Sequence, residues 1–260
     1  MWYKKIKLFM LVVWGLLSRE IREHVFENGI FYLFSPLITQ LAIWHGIYYL
    51  MHRSNSFGMN TSLFITASYM PFWIIEKIAM ESSLALTQNK DTLAIKHVKI
   101  FDVVFAKTIM WGVSSIVIFF LNLLVLIFII DDSIEVYNWY NLIIVFILSV
   151  FIGFGLGLIT CVIGAYIKNA FIWILFFTRS IYLISGIFFP LEAVPNDMRE
   201  MLLWNPVLHL VELSRYAFIP YQISSEIDIY YVCLVTISLL FLGFVVYSSY
   251  RNKFLMEIIL

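Results

Sequence analysis

Charged residues are scarce in this chain, making up 13% of its 260 residues, whereas hydrophobic residues make up 62%. A water-soluble domain carries about twice that share of charge, because its surface must stay hydrated. The formal net charge is zero, which argues against binding to nucleic acid. The composition therefore predicts an all-α polytopic membrane protein.

Signatures of catalysis and of metal binding are also missing. No G-x-x-x-x-G-K-[ST] motif occurs, so the chain has no P-loop for ATP. The 5 His residues lack zinc-type spacing. Cys161 and Cys233 both lie in apolar runs, where a thiol packs as a small apolar group. With no paired nucleophile and base either, we predict no catalytic site, no metal and no cofactor in this chain.

What the chain does have is a succession of apolar runs. A helix needs about 20 such residues to span a bilayer, and six runs qualify within residues 1–260, which no linker, repeat or low-complexity segment divides. The predicted spans are Ile30–Leu50, Leu63–Glu81, Phe101–Ile130, Asn141–Ala165, Ala170–Phe189 and Ile227–Tyr247. We therefore expect one transmembrane domain.

The N-terminal run is too short to be a further span. Three lysines precede it, as in a signal peptide, but no small-residue cleavage site follows. Apolar residues recur at helical spacing: Trp2, Ile6, Phe9, Val13 and Leu17. We predict that residues 1–24 form an amphipathic helix in the cytoplasmic interface. Most of the 17 Lys and Arg residues lie near the termini, in residues 82–107 or at Lys168, which places both termini in the cytoplasm.

The segment 179–215 breaks the pattern of spans. Its apolar run ends at Pro190, and two short helices are predicted to follow, divided at Asn205-Pro206. Irregular backbone at membrane depth is tolerated only where it is buried in protein or lines a water-filled path. We predict that residues 190–219 form extracytoplasmic, re-entrant half-helices.

Arg179 lies near the middle of the fifth predicted span, where an ion is costly unless it faces a cavity or a partner. One interpretation is a structural ion pair with Glu76. The other is a cation that lines a path for an anionic or hydroxyl-rich substrate. In the fourth span, Gly153 and Gly157 share one helix face, which predicts close approach of another helix.

Two polar segments have two interpretations each. Asp131, Asp132 and Glu135 form either a solvated extracytoplasmic turn or the metal site of a membrane-bound transferase. Residues 82–100 form either a solvated loop or a cytoplasmic helix that a partner grips. The polar tip of this segment consists of Gln88, Asn89, Lys90 and Asp91.

Several motifs resemble the membrane permease subunit of ABC-type capsular polysaccharide exporters, which are type-2 ABC exporters. The most specific ones are Ser185-Gly186-Ile187-Phe188-Phe189-Pro190, Val194-Pro195, Leu203-Trp204-Asn205-Pro206, His209 and Val211-Glu212-Leu213-Ser214-Arg215. Others in the right order are Arg19-Glu20-Ile21-Arg22, Met51-His52-Arg53, Pro71-Phe72 and Val98-Lys99. The match covers essentially the whole chain, and O-antigen and teichoic acid exporters resemble the 185–215 block less.

This resemblance implies a homodimer in the bacterial inner membrane, contacted by two copies of a separate ABC ATPase that binds ATP and Mg. The substrate would be a lipid-linked polysaccharide, passed on to periplasmic and outer-membrane export components. Residues 82–100 would be the coupling segment, with Gln88, Asn89, Lys90 and Asp91 meeting the ATPase. The half-helices would form a gate, and the candidate path residues are Arg19, Arg22, Arg53, Arg179, Trp204, His209, Glu212 and Arg215.

The chain departs from that family at three positions. Ser35 stands where relatives carry an acidic residue, and Met80 and Glu81 stand where they carry basic ones. Two other functions compete with export: a membrane-embedded glycolipid-modifying enzyme that uses the acidic cluster, and a non-catalytic assembly subunit of the cell envelope.

Overall fold

The computed structural model describes residues 2–23, 42–43, 46, 55–56, 59–95, 97–130, 134–220 and 226–259. Most of the first predicted span, together with Ser35, Arg53, Asp131 and Asp132, lies outside these residues. The helices are α1 (Trp2–Ile21), α2 (Thr61–Ser83), α3 (Ala85–Gln88), α4 (Lys90–Leu93), α5 (Ile100–Ile130), α6 (Trp139–Tyr166), α7 (Ala170–Ile184), α8 (Asn196–Leu202), α9 (Pro206–Tyr216) and α10 (Ile229–Ile259). A short antiparallel pair, β1 (Asn55–Ser56) and β2 (Met59–Asn60), precedes α2, and a 3-10 turn, Leu191–Ala193, precedes α8.

Within the described part of the chain, four helices are long and apolar enough to cross a membrane. They are Thr61–Ser83, Ile100–Phe128, Trp139–Tyr166 and Ile229–Arg251. These helices confirm the second, third, fourth and sixth predicted spans as helical segments. The last helix, α10, continues to Ile259, well past the predicted end at Tyr247.

The fifth predicted span differs from the structure. Helix α7 has 15 residues and is therefore about 22 Å long, shorter than the ~30 Å of a bilayer core. It ends because Gly186 adopts a φ of +70°, which a helix does not allow. The prediction of a helix as far as Phe189 was wrong, since the apolar run continues past the residue that ends the helix.

Helix α2 is the buried centre of the protein. Nearly all of its side chains are buried, although it contains Pro71, and it contacts α5, α6, α7 and α9. Its N-terminus is capped by Asn60, whose side chain accepts the Ser62 N–H at 2.9 Å. The segments that meet the two ends of α2 are therefore separated by one continuous helix.

Small residues let α6 approach α2 closely, as the Gly153–Gly157 spacing predicted. A Cβ atom at Gly157 would lie 2.7 Å from Ser82 Oγ, and one at Gly153 would lie 3.0 Å from Ile78 Cβ. The Thr160 hydroxyl uses this proximity to donate to the Ala79 carbonyl at 2.7 Å. Packing of this kind holds membrane helices together where the hydrophobic effect between them is absent.

Gly164 provides the sharpest test of this packing. A Cβ atom there would overlap with the Ser83 carbonyl oxygen, a backbone atom that cannot rotate away. We expect Gly164→Ala to destabilise the protein by about 1–3 kcal/mol or more. The control is Gly15→Ala in α1, where a Cβ meets nothing within 4 Å and helix propensity improves by up to about 1 kcal/mol. SDS-induced unfolding of both variants measures the difference, and equal stability would contradict the close contact.

Candidate functional site

The predicted site residues fall into two groups at opposite ends of α2. Residues of α1 and of the 82–100 segment meet the end near Ser83, whereas residues of α9 meet the end near Ser68. The two serines are about 22 Å apart along the helix axis. Arg179 lies between the two groups, beside Glu76.

The 82–100 segment, for which the sequence left open a loop or a helix, contains two single-turn helices. Helices α3 and α4 meet at Asn89, whose backbone leaves the helical region at φ −117° and ψ 22°. The Asn89 side chain is buried and donates to the Ala85 carbonyl at 3.1 Å. Gln88, Lys90 and Asp91 are exposed. The tip therefore presents three of its four predicted contact residues, and Asn89 anchors them.

Arg19 contacts this tip from α1. Its Nη1 donates to Asn89 Oδ1 at 3.4 Å and to Thr92 Oγ1, and its Nη2 donates to the Gln88 carbonyl at 3.3 Å. Its Nε pairs with Glu23 at 2.6 Å. Of the candidate path residues Arg19 and Arg22, Arg19 thus bonds to the 82–100 segment, while Arg22 is exposed.

A buried lysine completes this junction. Lys107 of α5 is fully buried, and its Nζ lies 3.2 Å from Glu20 Oε1 of α1 and 3.6 Å from Glu81 Oε2 of α2. It also donates to Gln88 Oε1 at 3.0 Å. Glu81 has a second cation at 3.3 Å, Lys77. Three other segments therefore meet the ammonium group of Lys107. Sequence reasoning missed this junction; the signal was a lone lysine within a long apolar run.

At the other end of α2, Glu212 and Arg215 form a buried ion pair. Arg215 Nη1 lies 2.7 Å from Glu212 Oε1, and both side chains are at least 96% buried. Arg215 Nε donates to Ser68 Oγ at 2.6 Å, and its Nη groups donate to the carbonyls of Phe189 and Gly186. The pair therefore fastens the turn after α7 to α2.

Glu212 also receives a backbone bond. Its Oε1 accepts the Leu191 N–H at 3.0 Å, at the start of the 3-10 turn. Burial raises the pKa of the Glu212 carboxyl, and Arg215 and the Leu191 N–H oppose that rise. In the single chain, both residues predicted for the substrate path thus serve as an internal clasp, and a role in the path stays a prediction.

The half-helices divide at Asn205-Pro206, as the sequence predicted. Asn205 caps α9 by accepting the Val207 N–H at 3.0 Å, and its amide donates to Ser185 Oγ at 2.9 Å. His209 Nδ1 accepts the Asp228 N–H at 3.2 Å, so Nε2 carries the proton and donates to the Leu203 carbonyl at 2.8 Å. The side chain of Trp204 is 79% exposed. Of the predicted path residues here, Trp204 alone faces outward from this group of short helices.

The ion pair considered for Arg179 is present. Arg179 Nε lies 3.6 Å from Glu76 Oε1; the arginine side chain is 45% exposed and the glutamate is 3% exposed. Thr178 Oγ1 also donates to Glu76 at 3.3 Å, and the guanidinium lies over the Tyr182 ring. This geometry is compatible with both interpretations, because Arg179 pairs with Glu76 while part of its side chain remains exposed.

The described residues do not form a cluster of metal-ligating side chains. Among them, no three His, Cys, Asp or Glu side chains come together as ligands. Glu135 is exposed on the segment before α6, and both cysteines are free thiols. The described polar groups thus join helices to one another.

The sequence is similar to one transporter family and to several transport and export proteins. The model of the ABC-2 type transporter family matches residues 11–219. The chain is 29% identical over 248 residues to the polysialic acid transport protein KpsM of Escherichia coli, covering 94% of this chain and 95% of the relative. It is 29% identical over 257 residues to the capsule polysaccharide export inner-membrane protein BexB of Haemophilus influenzae, covering 93% and 91%. The corresponding protein CtrC of Neisseria meningitidis is 23% identical over 254 residues, covering 93% and 91%.

The clasp at Glu212 can be tested against a matched glutamate. Glu212→Ala leaves the Arg215 charge buried without its carboxylate, so we expect a loss of about 3–5 kcal/mol in unfolding free energy. Glu226→Ala removes a carboxylate that lies 3.2 Å from Arg199 at an exposed site, and should cost at most about 1 kcal/mol. SDS-induced unfolding of the purified variants measures both losses of unfolding free energy. Similar losses for both variants would show that the buried clasp contributes little.

Proposed function

The chain belongs to the ABC-2 type transporter family, and from that premise we propose that it is the membrane subunit of an ATP-driven exporter of lipid-linked capsular polysaccharide. The relatives named for polysialic acid transport and capsule export match it over nearly their full lengths. They also favour a capsular polymer over an O-antigen or a teichoic acid as the substrate. The observation that carries the proposal is the exposed tip at Gln88–Asp91, anchored at the end of the central helix α2.

Energy enters this proposed exporter from another chain. The sequence has no P-loop, so ATP and Mg bind to a separate ABC ATPase, present in two copies against a homodimer of this subunit. The exposed side chains of Gln88, Lys90 and Asp91 meet that ATPase in the cytoplasm. ATP binding acts on the transport path by a coupling free energy between the two subunits.

The proposed function also implies a cellular location and a membrane topology. The domain crosses the bacterial inner membrane six times, with the short helix α7 and the turn after it making the fifth crossing. Both termini lie in the cytoplasm, which agrees with the placement of the basic residues. Helix α1 flanks the cytoplasmic entrance, and the 190–219 half-helices form the extracytoplasmic gate. Periplasmic and outer-membrane components receive the polymer there.

The chemistry of a polysaccharide suits two exposed side chains of the protein, Arg179 and Trp204. A polysaccharide is polar along its length, so its path needs charged, hydrogen-bonding and aromatic surfaces. The open face of Arg179 suits phosphate or carboxylate groups, and the exposed ring of Trp204 offers a flat apolar surface with a polar N–H. Sugar rings slide over such a surface without one deep binding minimum.

Charge reversal at the tip tests the contact with the ATPase. In the double variant Lys90→Glu/Asp91→Lys we expect normal abundance, because both side chains are exposed. Export and copurification of the ATPase should fall about tenfold, equivalent to ~1.4 kcal/mol of lost contact energy. The control is Lys168→Glu, an exposed lysine in the turn between α6 and α7. Unchanged export and copurification in the double variant would remove the tip from the ATPase interface.

Paired substitutions separate the two roles of Arg179. Arg179→Leu leaves the Glu76 carboxylate buried without its cation, so we expect reduced abundance. The second change Glu76→Gln should restore abundance, because a neutral amide has no charge to compensate. If Arg179 also lines the path, the double variant still accumulates polymer in the cytoplasm. Normal surface polysaccharide from the double variant would leave Arg179 with its structural role alone.

A further inference from the structure

An open groove lies between α10 and the first turn of α5, two helices that both pack on α6. It has a volume of about 350 Å³, which is large enough to hold a small ligand. We infer that this groove binds one anionic phospholipid of the bilayer. In this site Arg251 binds the phosphate group, and the aromatic residues of the groove bind the upper part of an acyl chain.

Aromatic rings form the floor of the groove. The ring centroid of Phe101 in α5 lies 5.9 Å from that of Phe244 and 5.9 Å from that of Tyr247, both in α10. Phe154 of α6 contacts the same rings, at 5.9 Å from Phe101 and 6.1 Å from Phe244. Because Phe244 is still 45% exposed, this floor presents a continuous apolar surface on which an acyl chain can pack.

The groove has the length of one leaflet of a bilayer. Phe241 and Arg251 both line it, and ten residues of helix separate them by about 15 Å. That is half of the ~30 Å thickness of the hydrocarbon core. Arg251 is the last residue of the membrane-crossing part of α10, so it lies at the membrane surface, with Phe241 near mid-membrane. The proposed topology assigns this surface to the cytoplasm.

A cation at the end of the groove supplies the charge that a phosphate group needs. Arg251 is exposed, and among the described residues no carboxylate pairs with it. Lys99 is a second exposed cation, two residues before Phe101. A guanidinium group forms strong charge-assisted bonds with phosphate, and basic pockets at the membrane surface attract anionic headgroups. Other arginines of the chain already pair with carboxylates, namely Arg19, Arg179, Arg199 and Arg215.

The lining of the groove favours a headgroup with a net negative charge. No aspartate or glutamate is among the described residues that line it, so the ammonium group of a zwitterionic lipid would find no carboxylate there. Asp102 follows Phe101 in the chain, but it is buried, and its carboxylate accepts the Lys99 N–H at 2.9 Å. Phosphatidylglycerol has the required chemistry, since it carries one phosphate charge and no cation.

Lipid titration followed by native mass spectrometry tests the charge requirement. The purified full-length chain is titrated with phosphatidylglycerol and with phosphatidylethanolamine of the same acyl chains. We expect tighter binding of the first phosphatidylglycerol, and about a fivefold loss of its affinity in Arg251→Gln, which is the effect of one cation at a membrane surface. The control, Lys168→Gln, removes an exposed cation outside the groove. Equal affinities in the two variants would overturn the inference.

Two neighbouring serines give a second test that leaves Arg251 in place. The hydroxyls of Ser248 and Ser249 both donate to the Val245 carbonyl, at 3.0 and 2.9 Å, and both residues are exposed. Only Ser248 lines the groove. We expect Ser248→Trp to fill the groove and weaken phosphatidylglycerol binding at least about fivefold, whereas Ser249→Trp binds like the unmodified chain. The same affinity in both tryptophan variants would show that the lipid binds elsewhere.

The lipid that copurifies with the chain identifies the occupant. We expect lipid extracted from the unmodified protein to contain an anionic glycerophospholipid that is depleted in Arg251→Gln. A sugar-bearing lipid in its place would overturn the assignment to a bilayer phospholipid, because the occupant would then be the lipid end of a polymer. Equal lipid content in the two preparations would also contradict the site. None of these measurements requires ATP or transport, so their outcome is independent of the proposed export function.

Discussion

The close contact between α2 and α6 is the interaction on which the rest of this structure depends. Glycines at 153, 157 and 164 bring the two backbones together, and the Thr160–Ala79 hydrogen bond fixes their relative position. Because of this contact α2 lies at the centre of the protein, where it also reaches α5, α7 and α9. A helix that were held further from α6 would not support the polar junctions at its two ends.

Those junctions share one physical requirement: each charged group that the described residues bury against α2 has a partner of opposite sign. Arg215 pairs with Glu212 beside Ser68, Arg179 pairs with Glu76, and Lys107 pairs with Glu20 and Glu81. In an apolar surrounding, breaking such a pair costs more than the pair itself contributes. The charges therefore specify which segments meet α2 and where, while apolar packing supplies most of the stability.

This arrangement suits the transport function that we propose. In that proposal the Gln88–Asp91 tip would meet the ATPase and the half-helices would form the gate, and both are attached to the same central helix, α2.

The sequence by itself determined four of the spans and the helix break at Asn205-Pro206. Runs of apolar residues placed α2, α5, α6 and α10 correctly, because a bilayer-spanning helix must satisfy its own backbone and needs only local information. Local signals also sufficed for the break at Asn205-Pro206 and for the glycine face of α6.

Only the tertiary structure decided which polar residues meet. Arg19 and Asn89 are 70 positions apart, and Arg215 and Ser68 are 147 positions apart. No local pattern indicates such partners, so Arg19 and Arg215 looked alike as basic residues of a path, and Lys107 attracted no prediction. The end of α7 at Ile184 was missed for a related reason, since it depends on the φ of Gly186 within a turn that Arg215 fastens. The role of each buried charged residue thus depends on partners that are distant in the sequence and come together only when the chain folds.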